Sequence, residues 1–531
     1  MLQAPDTVPA RTTGEWAVYS RHAYNNPFAD VAVEAEFTSP LGATYTVPGF
    51  YDGDITWRVR FNPNEAGEWH YRIRSRPDDP DLQGEGTFQV SARESRGFLR
   101  STPGSAWGFE YESGDPVFLL GDTVYNLFGM AYCGVNVLSF LERRARQGFN
   151  LLRVRLPVSL FHPPEGYNQW QTHRTWPWGG SEQAPQFDRF NLPYFRVVDD
   201  VVRQCDLLGI GLEMIMEAWG FEFPFNSRHV FLPEWEEMWM RWLIARYDAY
   251  ECVYFWTLMN EYEYYPNGDW HYKSVADRWA IRLARWVKAH AQHGHIVAIH
   301  NGPVKPPFAQ RFAADPEAVD TVMFQTWGTT GRDDAWLAAG IEEQIEQSLE
   351  GWQGSAVFAE WGYERNPELE LKMPGHLYCD PEHTRRGAWR GVFRSLGIIH
   401  GFENSWGPWQ VLNRDQPGMQ YLLHLRAFLT EHTAFHELHP APQLLSQQSY
   451  LVGHAPLALA TPDQSTVAVY LPVGGSVSLA SPDTLAYHAS WFDPRTGALT
   501  ATTATGPEYT SPTGGGERPW DWVLLLRSEP A

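Results

Sequence analysis

The sequence has little that would suggest metal, redox or nucleic-acid chemistry. Four cysteines, Cys133, Cys205, Cys252 and Cys379, are spread through the middle of 531 residues with no CxxC spacing. They read as buried free thiols rather than a disulfide framework or a soft-metal site. No HExxH motif occurs, and no HxH follows the first strand of the middle region. "HAQHGHIVAIH" supplies His290, His293, His295 and His300, of which the first two read as a solvent-facing helix end. A metal-dependent hydrolase is therefore not expected, and no cofactor is called for. Positive charge is scarce: 41 Lys and Arg against 63 Asp and Glu leave a formal net charge of −22. Such a surface repels phosphate backbones, which argues against nucleic acid as a partner. No run of 18 apolar residues is present, so no transmembrane helix and no membrane partner are expected. The N-terminus "MLQAPDTVPARTTGEW" has neither a basic nor an apolar leader segment. The expectation is a cytoplasmic protein, or a secreted one whose leader has been removed.

Aromatic residues, by contrast, are abundant. They make up 15% of the chain, with 25 Trp and 24 Tyr. Heavily packed β-structure is one reading. The other is a carbohydrate cleft, since the C–H faces of sugar rings stack on indole.

The length implies more than one domain. Residues 1–97 carry short Val-, Tyr-, Phe- and Trp-rich runs at about ten-residue intervals, such as "EWAVYSRH" and "EWHYRIRSR", which predict a β-sandwich. Residues 98–438 alternate apolar strands with amphipathic helices. Eight strands are predicted: Val117–Gly121, Leu151–Pro157, Ile210–Trp219, Val253–Glu261, His295–Asn301, Thr321–Trp327, Ala356–Trp361 and Ile398–Trp406. The helical pattern is weakest between the fifth and sixth. Eight βα repeats give an α/β fold, a (β/α)8 TIM barrel. Residues 439–531 return to short strands with Gly/Pro turns and read as a small C-terminal β-sandwich. The two sandwiches are expected to buttress the barrel, with glycan binding or homo-oligomer formation as further roles open to them.

In a TIM barrel the chemistry sits at the C-terminal ends of the strands. The polar and aromatic residues there are Asp122, Arg155, Glu217, Trp219, Asn260, Glu261, His300, Asn301, Gln325, Trp327, Glu360, Glu403, Asn404 and Trp406. "VYFWTLMNE" ends its apolar run in Asn260 and Glu261, and "SAVFAEWG" runs into Glu360. Two opposed carboxylates are what glycosidic cleavage needs, one donating a proton and the other attacking the anomeric carbon or activating water. Asp122, His300 and Glu403 are expected to meet sugar hydroxyls, with Glu403 the rival nucleophile. Trp219, Trp327 and Trp406 are expected to stack on sugar rings. Of Glu213 and Glu217, both could point into the barrel and one could be ion-paired.

"MNE" and "AEWG" resemble the strand-four and strand-seven motifs of the clan A, or 4/7, glycoside hydrolases. The resemblance implies a retaining glycosidase with Glu261 as acid/base and Glu360 as nucleophile. Asn260 would bind a sugar hydroxyl beside the scissile bond. "RLP" at 155–157 resembles the clan's strand-two "RIP", which implies that Arg155 supports the nucleophile. Trp406 in "ENSWG" resembles the aromatic platform under the sugar. Where the clan usually offers a strand-six tyrosine to the nucleophile, this chain has "VMFQTWG", and Gln325, Trp327 or the nearby Tyr363 is the candidate substitute. More narrowly, "GDTVYNLF" with "FLERRARQGFNLLRVRL" resembles the apiosidase-like barrels of bacterial glycan-degrading proteins, and "FNPNEAGEWHYRIRS" the Ig-like domain that precedes them. The long stretch after the second strand favours exo action on a carbohydrate substrate. A transglycosylase using the same residues, and a non-catalytic glycan-binding barrel, are the alternatives.

Overall fold

The computed structural model describes residues 2–157, 177–181, 184–217, 231–265, 272–302, 306–330, 332–365, 378–402, 415–446, 450–480, 487–504, 506–513 and 517–528. The middle of the chain is a closed barrel of eight parallel strands. They are β1 (Leu120–Thr123), β2 (Leu151–Arg155), β3 (Gly211–Glu217), β4 (Val253–Met259), β5 (Ile296–His300), β6 (Thr321–Gln325), β7 (Ser355–Glu360) and β8 (Gly397–Phe402). Each pairs with the next, and β1 also pairs with β8, closing the cylinder. All eight begin within three residues of their predicted starts, β1 lying furthest off, three residues later.

Around the strands run helices α1 (Leu138–Gln147), α2 (Leu192–Leu208), α3 (Pro233–Tyr247), α4 (Val275–His290), α5 (Phe308–Arg311), α6 (Ile341–Leu349), α7 (Pro381–Val392) and α8 (Pro417–His432). The weak helical pattern between β5 and β6 corresponds to α5, a single turn. Gly148 and Gly209 stop α1 and α2 in the left-handed conformation that a residue without Cβ adopts freely. Side-chain alternation sorts the barrel into two cores. Leu152 and Val154 pack outward against the helices, while Leu151 packs inward with Phe255, Ala298, Met323, Val357 and Ile399. A hairpin of Leu99–Ser101 and Phe109–Tyr111 plugs the N-terminal end of this inner core. The opposite end is left for chemistry.

The N-terminal domain holds a four-stranded and a five-stranded sheet. Gly67–Arg76 alternates buried and exposed along its length, and Trp69 and Ile73 enter a core with Trp16, Phe37, Phe61 and Phe88. Asp199 on α2 joins this domain to the barrel, taking Arg60 at 2.8 Å and Arg246 at 2.6 Å. At the C-terminus a six-stranded antiparallel sheet lays one face on α7 and α8. Trp389 stacks on Tyr470 there with centroids 5.6 Å apart. The four cysteines are buried and free. His293, expected to face solvent, is buried instead: Asp248 Oδ2 lies 2.7 Å from its Nδ1, which ties α4's exit to the loop before β4.

Candidate active site

Glu360 ends β7 and is 5% exposed. Three donors converge on it. Arg153 Nη1 stands 3.2 Å and the Tyr125 hydroxyl 3.3 Å from its Oε2, and the Tyr363 hydroxyl hydrogen-bonds to it as well. Arg153 also donates to Asn260 Oδ1 and lies 3.5 Å from Glu213 Oε2. Burial drives the Glu213 carboxyl up to about 7, against the pull of Arg153 and of Thr257, whose hydroxyl donates at 3.0 Å. Glu213 is thus the ion-paired member of the strand-three pair. Glu217 lies beside Glu236 of α3, and burial together with that charge pushes its carboxyl well above the usual range.

Glu261 follows β4 after one intervening residue, Asn260. It is half-buried and sits at φ 53°, ψ 50°, a left-handed conformation costly for a residue with a Cβ. Its surroundings hold it there. The backbone N–H of Glu261 faces His300 Nδ1 at 3.4 Å. Two residues on, Glu263 is sealed in the protein, accepting from Gly302 N at 2.7 Å and from Arg311 Nη1 at 2.9 Å. The Arg311 guanidinium lies over the Tyr262 ring, 4.5 Å from its centroid, and the Tyr262 hydroxyl donates to Asp277 at 2.9 Å. So the one-turn helix α5, through Arg311, clamps the turn that presents Glu261.

The two carboxylates have opposite environments. Burial first, then the charge of Glu360 and, less, that of Glu263 raise Glu261 to about 8; a hydrogen bond from Gln325 and the charge of Arg155 only partly offset them. Gln325 Nε2 lies 2.6 Å from Glu261 Oε1. At neutral pH Glu261 is a protonated acid within the field of Glu360, which is itself surrounded by donors.

Several expectations change in detail. Arg155, expected on the nucleophile, lies over the Tyr125 ring at 4.1 Å, and the guanidinium on Glu360 is that of Arg153. Both arginines share the inward phase of β2, so alternation admits either. Asp122, expected to contact substrate, is fully buried in an ion pair with Arg144 at 2.7 Å. His300 is fully buried too, under Glu261, and burial followed by Arg153 and Arg155 keeps its imidazole neutral. Asn260 is 3% exposed and held by Arg153. Trp327 is partly exposed, and its indole N–H donates to Gln325 Oε1 at 2.6 Å. Of the candidate tyrosine substitutes, Tyr363 reaches Glu360, while Gln325 goes to Glu261. Trp219, Glu403, Asn404 and Trp406 lie outside the described residues. Tyr125, Arg153, Glu263 and Arg311 were not singled out from the sequence. Tyr125 lies in a loop, and Arg311 belongs to a helix too short to show periodicity.

Comparison with known proteins agrees with this architecture. Residues 11–76 match a domain family of unknown function, and residues 440–527 a family described as a collagen-binding domain of a collagenase. No curated protein matches. A solved structure from Bacteroides vulgatus, described as a glycoside hydrolase, is similar over 99% of this chain and 100% of its own, with a TM-score of 0.73 at 18% identity. A second from the same organism, described as a family 5 glycoside hydrolase, covers 82% of this chain and 94% of its own, with a TM-score of 0.60 at 16% identity. At such identities the likeness is one of fold. Residues 107–435, the whole barrel and the second strand of the plugging hairpin, match the family described as the apiosidase-like catalytic domain, and the chain belongs to that family.

Proposed function

We propose that the protein is a retaining glycosidase of the clan A type, with Glu261 as acid/base and Glu360 as nucleophile. The observation that carries this reading is the pair itself. One carboxyl is held protonated near neutrality beside another that accepts an arginine and two phenols. The description of the similar structures as glycoside hydrolases supports a carbohydrate substrate.

In the first step Glu360 attacks the anomeric carbon as the bond to the leaving oxygen breaks, and Glu261 gives its proton to that oxygen. Arg153, Tyr125 and Tyr363 hold Glu360 in place for attack. Forming the ester neutralises Glu360. The charge that raised Glu261 disappears, its proton affinity falls, and it becomes the base that activates water for the second step. Water then releases the sugar with configuration retained. We read the action as exo, and the two flanking domains as supports that fix the barrel through Asp199 on one side and Trp389 on the other.

A panel of 4-nitrophenyl glycosides, apioside included, tests the reading, with product configuration followed by NMR from the first turnover. Release of nitrophenolate with a retained anomer is expected. An inverted first product, or no cleavage of any glycoside, overturns it.

A further inference from the structure

The Oε1 edge of Glu261 meets Gln325 Nε2 at 2.6 Å. A glutamine free to turn over could equally offer its carbonyl there. This one is not free. Its Oε1 accepts the Trp327 indole N–H at 2.6 Å, and its Nε2 also donates to the main-chain carbonyl of Asn301 at 3.0 Å. Its backbone N–H is held by Asn301 Oδ1 at 2.9 Å. Turned over, the amide would set NH2 against an indole N–H and a carbonyl against a carbonyl. Gln325 is 3% exposed, so water would relieve neither conflict.

A protonated carboxyl has one carbonyl oxygen and one hydroxyl. The oxygen that accepts the amide N–H is the carbonyl, so the proton lies on the other. We propose that Gln325, locked by Trp327 and Asn301, is a positioning residue that keeps the transferable proton of Glu261 on Oε2. The proposal rests on Glu261 being the general acid. As the proton leaves for the glycosidic oxygen, the carboxyl becomes an anion and the amide bond to it strengthens. The contact therefore favours release, against burial and the charge of Glu360. In the second step the same lock leaves Oε2 to take the proton from water. Trp327 acts through Gln325, and its ring also packs edge-on against Tyr363, centroids 5.3 Å apart, beside the nucleophile.

Two near-isosteric variants test this. Gln325→Met removes the donor and keeps the length. Trp327→Phe keeps a ring against Tyr363 and removes the N–H. The titration of Glu261 is read by NMR of protein labelled with 13C at the glutamate carboxyls, the signal being assigned by its loss in Glu261→Gln. Gln325→Met should raise that titration by about one pH unit, and Trp327→Phe by less with the same sign. On the sugar that the panel finds active, kcat/KM for an alkyl glycoside should fall about tenfold in Gln325→Met. For the 4-nitrophenyl glycoside, which needs little protonation, it should fall less than about twofold. An unmoved titration, or an equal fall on both substrates, overturns the proposal. A titration that moves in a protein cleaving no glycoside supports the placement of Gln325 and sinks the glycosidase reading instead.

Discussion

Arg153 Nη1 stands 3.2 Å from Glu360 Oε2, with the arginine fully buried. The same guanidinium serves Glu213 and Asn260, so it neutralises the interior as well as orienting the carboxylate. Its removal should act on both. Arg153→Met should lower kcat/KM by about 10- to 100-fold, the loss of one charge-assisted hydrogen bond. It should also destabilise the fold by about 3 kcal/mol, since two carboxyls lose a buried partner. Arg153→Lys keeps the charge and loses the fork, and should recover stability better than activity. Urea midpoints beside steady-state rates check this. Equal recovery of both by lysine would reduce Arg153 to a bare countercharge.

The pH dependence follows from Glu261. Its proton affinity is raised to about 8, so kcat/KM should fall as pH rises through that region. Glu360→Gln removes the larger of the two charges that raise it, and Glu261 should then titrate lower. Stability carries the same signature. A folded carboxyl raised above its unfolded value binds more protons than the unfolded chain between about pH 4.5 and 8, so its contribution is present at low pH and is lost as pH rises through about 8. Glu261→Gln should therefore gain stability relative to wild type between pH 5 and pH 9. Parallel stability curves would place the raised group elsewhere.

How far the site could be read from the sequence depended on what each residue rests on. β4 and β7 are largely apolar runs that end against Asn260 and Glu360, and such interruptions show in any reading. Period-two alternation is equally plain, yet it leaves Arg153 and Arg155 in the same phase. Only depth separates them, and depth is set by the barrel's tilt and by the plugging hairpin. Asp122 looked like a residue of the mouth until the fold brought Arg144 of α1 against it. The left-handed turn at Glu261 depends on Glu263, Gly302 and Arg311, which meet only when β4, β5 and α5 are assembled. Pairings of that kind have no local signal.

A buried ion pair should help hold the C-terminal domain to the barrel. Arg385 Nη2 lies 2.9 Å from Asp521 Oδ1 with both side chains sealed from solvent. Burial pushes the Asp521 carboxyl up, but Arg385 and Arg386 outweigh it and hold it at about 2. A carboxylate lowered in the fold contributes stability above its unfolded value, near pH 4, and loses it as pH falls through about 2. Asp521→Asn should thus cost about 3 kcal/mol at pH 7, and the difference from wild type should shrink towards pH 2. Limited proteolysis should release the C-terminal domain from the variant first. A pH-independent difference would mean that packing of Trp389 on Tyr470, not charge, makes the joint.

The two glutamates should fail differently when removed. Without Glu360 there is no nucleophile, so Glu360→Ala should be inactive on every glycoside, whatever its leaving group. Glu261→Ala loses only protonation and base catalysis. A sugar leaving group needs the proton, and its cleavage should drop by about 10²–10⁴-fold. Nitrophenolate leaves without it, so the first step should survive and the glycosyl-enzyme should accumulate, because no base remains to activate water. Azide needs no base. Added azide should then raise turnover of Glu261→Ala on the nitrophenyl substrate and give a glycosyl azide of retained configuration. Rescue of Glu360→Ala to a retained product, with Glu261→Ala inactive on activated substrates, would reverse the two roles. Full activity in both variants would move the chemistry elsewhere, with Glu403 the next carboxylate to replace.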